Sequence, residues 1–117
     1  MILRKSTNIE KKMYCVFCEI IARKSPAKIH YEDDEYIVFS NVLKWAPVML
    51  LVVPKTHMTQ KELWGSVGKA GAIAVEMGEK FCGTGFRLLS NFGHDAMQSQ
   101  DHGHIHVIGG SFLGRYA

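Results

Sequence analysis

A chain of 117 residues that is 47% hydrophobic and 21% charged fits one folded domain and argues against general disorder. Lys and Arg total 14 against 11 Asp and Glu; the resulting charge of +3 is mild, the basic residues are scattered, and nucleic-acid binding finds no support. No apolar run is long enough for a bilayer, no secretory signal opens the chain, and the odd cysteine count (Cys15, Cys18, Cys82) speaks against a disulfide framework, so the expectation is a cytoplasmic protein with no membrane partner.

Residues 1–12, with Arg4, Lys5, Lys11 and Lys12, read as a flexible or extended leader, and residues 13–117 as a single domain. From Cys15 to Arg23, Phe17, Ile20 and Ile21 recur at helical spacing, and Ser25-Pro26 ends that short helix. Ile29 to Glu32 and Tyr36 to Phe39 read as two strands around a turn at Glu32-Asp33-Asp34-Glu35. Val48 to Val53 is a continuous apolar run closed by Pro54, the pattern of a central strand buried on both faces.

Thr59 with Glu62 three residues later predicts a capping box. Leu63, Val67, Ala70, Ala74, Met77 and Phe81 follow in steps of four and three, the apolar stripe of one amphipathic helix. Gly65, Gly68, Gly71 and Gly78 lie within it, each costing about 1 kcal/mol against Ala; such small residues suit close approach by a sheet or a second subunit. Gly83 and Gly85 stop the helix, Phe86 to Asn91 reads as a strand, Phe92 to Asp101 as a polar loop, and His102 to Ile108 as a final strand ended by Gly109-Gly110.

The last strand carries the chemistry. Side chains alternate along a strand, so His102, His104 and His106 share one face while Gly103, Ile105 and Val107 take the other. Half of the six histidines thus form one row. Each buried imidazole needs a polar partner, which makes three in a row costly as mere packing. Two readings remain: a row of zinc ligands, or a nucleophile with supporting groups. The second also accounts for the neutral donors Asn91, Gln98 and Ser99 just upstream, since phosphoryl transfer rests on positioning and charge stabilisation.

His102-Gly-His104-Ile-His106-Val-Ile resembles the signature of the histidine triad (HIT) proteins. Cys15-Val-Phe-Cys-Glu-Ile-Ile21, Pro26-Ala-Lys-Ile with Tyr31-Glu-Asp-Asp34, and Ala46-Pro47 with Leu51-Val-Val-Pro-Lys-Thr-His57 are similar to further segments of that family in the same order, within it most of all to the nucleoside phosphoramidase branch. The resemblance implies an α+β fold: an antiparallel sheet of about five strands, one short and one long helix, and a two-fold homodimer. It implies hydrolysis at the α-phosphate of a nucleoside phosphoramidate or related nucleotidyl conjugate, with His104 as nucleophile and a nucleotidyl-histidine intermediate. His106 and Ser99 would hold phosphate oxygens, Gln98 and Asn91 assisting, while the Gly103–His106 backbone would orient His104 through its other ring nitrogen. Val16, Phe17, Ile20, Phe39, Val42 and Leu51 match the base pocket for a purine nucleotide such as AMP, and plain core packing accounts for them equally. Diadenosine polyphosphate hydrolysis and a non-catalytic nucleotide-binding module are the alternatives.

Four departures from the family pattern matter. Asn41 stands where an aspartate usually binds the ribose hydroxyls, so weaker ribose binding is expected. Met49 stands where relatives carry a histidine that sits beside the triad and, in zinc-bearing members, joins Cys15, Cys18 and His102 as a ligand. The expectation is therefore no required cofactor; a zinc would need water or His57 in place of the thioether. Met97 replaces a glycine before Gln98-Ser99, where a side chain would crowd the loop or alter its dihedrals. Phe112, Arg115 and Tyr116 stand in for a longer tail that in relatives reaches the partner's site.

Overall fold

The structure, a computed structural model, describes residues 14–115; the expected leader and Tyr116 lie outside them. A five-stranded antiparallel sheet forms the centre, in the order β1 (Ile29–Glu32), β2 (Tyr36–Ser40), β3 (Val48–Pro54), β5 (Ile105–Gly109), β4 (Phe86–Leu89). The apolar run at Val48 occupies the middle position, as a strand covered on both faces requires.

One face packs against α2 (Gln60–Gly65) and α3 (Gly68–Phe81): Val38, Leu50, Val52, Ile105 and Val107 meet Leu63, Ala70, Ile73, Ala74 and Met77. The opposite face carries α1 (Val16–Ile21), whose Phe17 and Ile20 cover Ile37, Phe39, Leu51 and Val53. Period-two alternation in β3 thus supplies both cores from one strand. A third cluster joins Ala46, Met49 and Ile108 to Leu89 and Leu113. Arg87 donates to the Gly114 carbonyl, which holds this last segment back over its own sheet. No helix among the described residues is long and apolar enough to cross a membrane.

The predicted capping box is present, with Glu62 N–H donating to Thr59 Oγ1 (3.1 Å) and Thr59 N–H to Glu62 Oε1 (2.8 Å). The single stripe, however, runs over two helices. Ser66 leaves helical geometry at φ −144°, ψ 51°, with Gly65 and Gly68 flanking the break. Gly78 serves close approach: a Cβ there would stand 2.4 Å from the Phe86 ring, so only glycine lets β4 reach α3. The last strand is shorter than the sequence suggests, because pairing with β3 begins only at Ile105.

Candidate active site

His102 and His104 precede the β5 ladder, yet the alternation read from the sequence persists through them. A Cβ at Gly103 would lie 2.9 Å from the Thr59 carbonyl oxygen, so glycine at this step lets the triad segment press onto the α2 N-terminus. His102 and His104 turn the other way, toward α1, and are 1% and 4% exposed; His106 is half-buried. The Phe17 ring stands edge-on to both, at 5.7 Å from His102 and 5.2 Å from His104, and the His104 and His106 ring centres are 5.1 Å apart.

Each imidazole has a distinct setting. His104 Nδ1–H donates to the His102 carbonyl (2.8 Å), which fixes the tautomer and leaves Nε2 with a free lone pair. Burial lowers the His104 pKa against that hydrogen bond, keeping the ring neutral and nucleophilic near pH 7. Burial, with a contribution from His104, brings His106 down to about 4. Burial brings His102 to about 4 as well, although its Nε2–H donates to the Pro54 carbonyl (2.7 Å).

The main chain of His104 lacks a ladder partner and is held by side chains instead. Its N–H donates to Gln60 Oε1 (2.9 Å), and its carbonyl accepts from Ser90 Oγ (2.5 Å). Neither Gln60 nor Ser90 was expected from the sequence: a glutamine in the first turn of a helix reads as surface, whereas Gln60 is 3% exposed.

The polar loop is built around the short 3-10 helix His94–Ala96. Asn91 Nδ2 donates to the Ala96 carbonyl (2.7 Å), while Gln98 Oε1 accepts from Gly93 N–H (2.8 Å) and Gln98 Nε2 donates to the Gln100 carbonyl (2.9 Å). Both expected phosphate-assisting side chains therefore shape the loop itself, and Ser99 is exposed at its end. Met97 does not crowd the loop, since its side chain is 84% exposed; it instead adopts the left-handed region at φ 61°, at a cost of about 1 kcal/mol.

Of the expected base-pocket residues, Phe17, Ile20, Phe39 and Leu51 pack together with Val16 against them. Val42 does not join: it is 99% exposed in the β2–β3 loop, where the chain has left the sheet and no core faces it. Asn41 closes that loop, its N–H donating to the Met49 carbonyl (2.9 Å) and its Oδ1 accepting from Leu43 N–H (3.0 Å). Phe112 and Arg115 are exposed.

Beside the triad, one donor atom each from Cys15, Cys18, His57 and His102 lies within 4.8 Å of the others. His102 Nδ1 is 3.3 Å from Cys15 Sγ and 3.5 Å from Cys18 Sγ, and His57 Nδ1 is 3.4 Å from Cys18 Sγ. Tetrahedral zinc with Zn–S of about 2.3 Å and Zn–N of about 2.05 Å requires sulfur–nitrogen edges of about 3.5 Å, so the donor set fits that ion. The Pro54 carbonyl already directs the His102 Nδ1 lone pair inward, the outer support that metal-binding histidines use. Burial and then the neighbouring Cys15 push the Cys18 thiol up to about 11, protons that a cation would displace.

Of the two substitutes expected for Met49, water or His57, the structure brings His57 to the group. Met49 packs with Ala46 and Ile108 on the far side of the triad, its Sδ accepting from Trp45 N–H (3.1 Å), whereas His57, after the Pro54 turn, completes the group.

The model of the HIT domain matches residues 22–113. An uncharacterised HIT-like protein of Mesomycoplasma hyorhinis is 37% identical over 99 residues, covering 80% of this chain and 89% of its own length. The solved structure of a HIT family hydrolase from Clostridium thermocellum is similar at a TM-score of 0.79 and 32% identity, covering 89% of this chain and 96% of its own. That of a zinc-bound histidine triad family protein from Mycobacterium smegmatis is similar at 0.66 and 28%, covering 83% and 75%.

Proposed function

This chain belongs to the HIT domain family, and from that premise we propose that it is a nucleotide hydrolase of the nucleoside phosphoramidase branch, with His104 as nucleophile. The observation that carries the reading is the His104 Nδ1–H bond to the His102 carbonyl, which leaves a neutral, buried Nε2 lone pair. His104 Nε2 attacks the α-phosphorus of a nucleoside phosphoramidate. The P–Nε2 bond forms as the P–N bond breaks, and the amine leaves with a proton taken from solvent. Water then attacks the nucleotidyl-histidine, its proton passing to solvent, and AMP departs as His104 is restored. His106, neutral at pH 7 with its pKa near 4, donates an N–H to a phosphate oxygen without carrying charge. Ser99 Oγ supplies a second donor, and the loop that Asn91 and Gln98 brace holds it in place. Phe17, Ile20, Phe39, Leu51 and Val16 form the apolar side against which a purine base lies.

The same reading includes a structural zinc on Cys15, Cys18, His57 and His102. When bound, it ties α1 to the turn after β3 and to the triad segment, and takes no part in the reaction. Free cysteines of this kind suit a reducing compartment such as the cytoplasm. A two-fold homodimer belongs to the reading too, supported by the exposed Trp64 and Val75 on the helical layer.

Turnover of adenosine 5′-phosphoramidate tests the proposal. AMP release by the wild type and its loss in His104→Ala support it. Saturable AMP binding without release makes the chain a binding module, and comparison with diadenosine polyphosphates separates the two hydrolase readings.

A further inference from the structure

Three polar side chains are buried among the described residues: His102, His104 and Gln60. The first two belong to the triad; Gln60 has no place in the reaction above. It lies in the first turn of α2, 3% exposed, and its amide makes two bonds across the interior: Oε1 accepts from His104 N–H (2.9 Å) and Nε2 donates to the Asn91 carbonyl (3.2 Å). We propose that Gln60 is a positioning residue, clamping the main chain of the nucleophile to the start of the phosphate loop.

The need for a clamp follows from where β5 begins. Ile105 is the first triad-segment residue paired with β3, so no strand takes the His104 N–H. A nucleophile on unpaired backbone drifts unless something else holds it, and a displacement of 1 Å can cost about a hundredfold in rate. Gln60 takes the N–H, and Ser90 Oγ takes the carbonyl while accepting from Trp64 Nε1–H (2.9 Å). The anchor is itself firm: the Thr59–Glu62 capping box fixes the α2 N-terminus, and Gly103 N–H donates to the Met58 carbonyl just before it (2.6 Å).

Tautomer and position are thus set separately. The His102 carbonyl selects which ring nitrogen attacks, and Gln60 sets how far that nitrogen stands from the loop. Asn91 opens the loop that closes at Ser99, so the second amide bond fixes the two reacting partners to each other.

This inference deepens the hydrolase reading and rests on it for its kinetic half. Its test compares wild type, Gln60→Met (similar length, neither hydrogen bond) and Gln60→Glu (acceptor kept) by steady-state kinetics on adenosine 5′-phosphoramidate, amide hydrogen exchange and thermal unfolding. In Gln60→Met, kcat falls about a hundredfold with KM changed less than about threefold, and the His104 amide exchanges at least about tenfold faster while those of the β3 core do not. Gln60→Glu recovers slow His104 exchange and at least about a tenth of the wild-type kcat. Wild-type kcat in Gln60→Met, or a loss matched by equal acceleration of every core amide, overturns the clamp. A wild type without turnover refutes the hydrolase reading instead, and exchange at His104 alone then decides: faster in Gln60→Met supports the clamp, unchanged overturns it.

Discussion

Metal loading is predicted to stabilise the protein through His57, independently of Met49. Three of the sulfur–nitrogen edges are 3.3 to 3.5 Å, against the roughly 3.5 Å of a tetrahedral zinc, and all four donor atoms lie within 4.8 Å of one another, so modest rearrangement completes the site. The site joins three stretches far apart in sequence, at Cys15 and Cys18, His57, and His102, that separate on unfolding. Binding to the folded state alone at a hundredfold excess over Kd contributes about 2.7 kcal/mol. For a chain this size an unfolding entropy near 0.25 kcal/mol/K converts that to about 10 °C in Tm. The assay is thermal unfolding of chelator-stripped protein with and without zinc, for wild type, His57→Ala and Met49→Ala, with bound metal measured in each. Wild type and Met49→Ala are expected to take one zinc and show the shift, and His57→Ala to lose most of it. Equal Tm with and without zinc in the wild type, or a shift abolished by Met49→Ala and kept by His57→Ala, would refute the reasoning.

The stability of the metal-free protein is predicted to depend on pH through His102 and His106. Both have folded-state pKa values near 4, below the 6.5 of the unfolded chain, so the unfolded state binds more protons between those limits. Stability is therefore full above pH 6.5 and declines as pH falls toward 4; each group contributes at most about 3 kcal/mol, less for the half-buried His106. Denaturant midpoints measured across that window check it, and a flat profile would contradict it. Asn41→Asp is predicted to tighten AMP binding about fivefold, since a carboxylate gains about 1 kcal/mol over an amide on a ribose hydroxyl; calorimetric titration showing no gain would remove Asn41 from the ribose site.

Much of this was legible in the sequence wherever a local pattern decided the outcome. The apolar run at Val48 could only be a strand covered on both sides, and Thr59 with Glu62 marked a helix start from side-chain chemistry alone. Alternation put His102, His104 and His106 on one face even though the first two lie outside the ladder, because Gly103 must face α2 in any case. Where tertiary context decided, the pattern failed. The stripe from Leu63 to Phe81 gave no sign of a break, since Ser66 and Val67 interrupt the backbone without interrupting the hydrophobic spacing. His57 was weighed only as a substitute ligand, because its distance from Cys18 depends on how the turn after Pro54 folds. Gln60 gave no signal at all: its burial arises from the triad segment pressing onto α2.

The central claim, that His104 forms a covalent bond to the substrate phosphorus, is tested most directly by rapid quench during turnover of adenosine 5′-phosphoramidate. Peptide mass analysis then locates the adduct. A nucleotidyl group on the peptide containing His104, absent in His104→Ala and retained in His106→Ala, is the predicted result. Turnover that leaves the His104 peptide unmodified at every quench time, together with AMP release surviving in His104→Ala, would contradict the account.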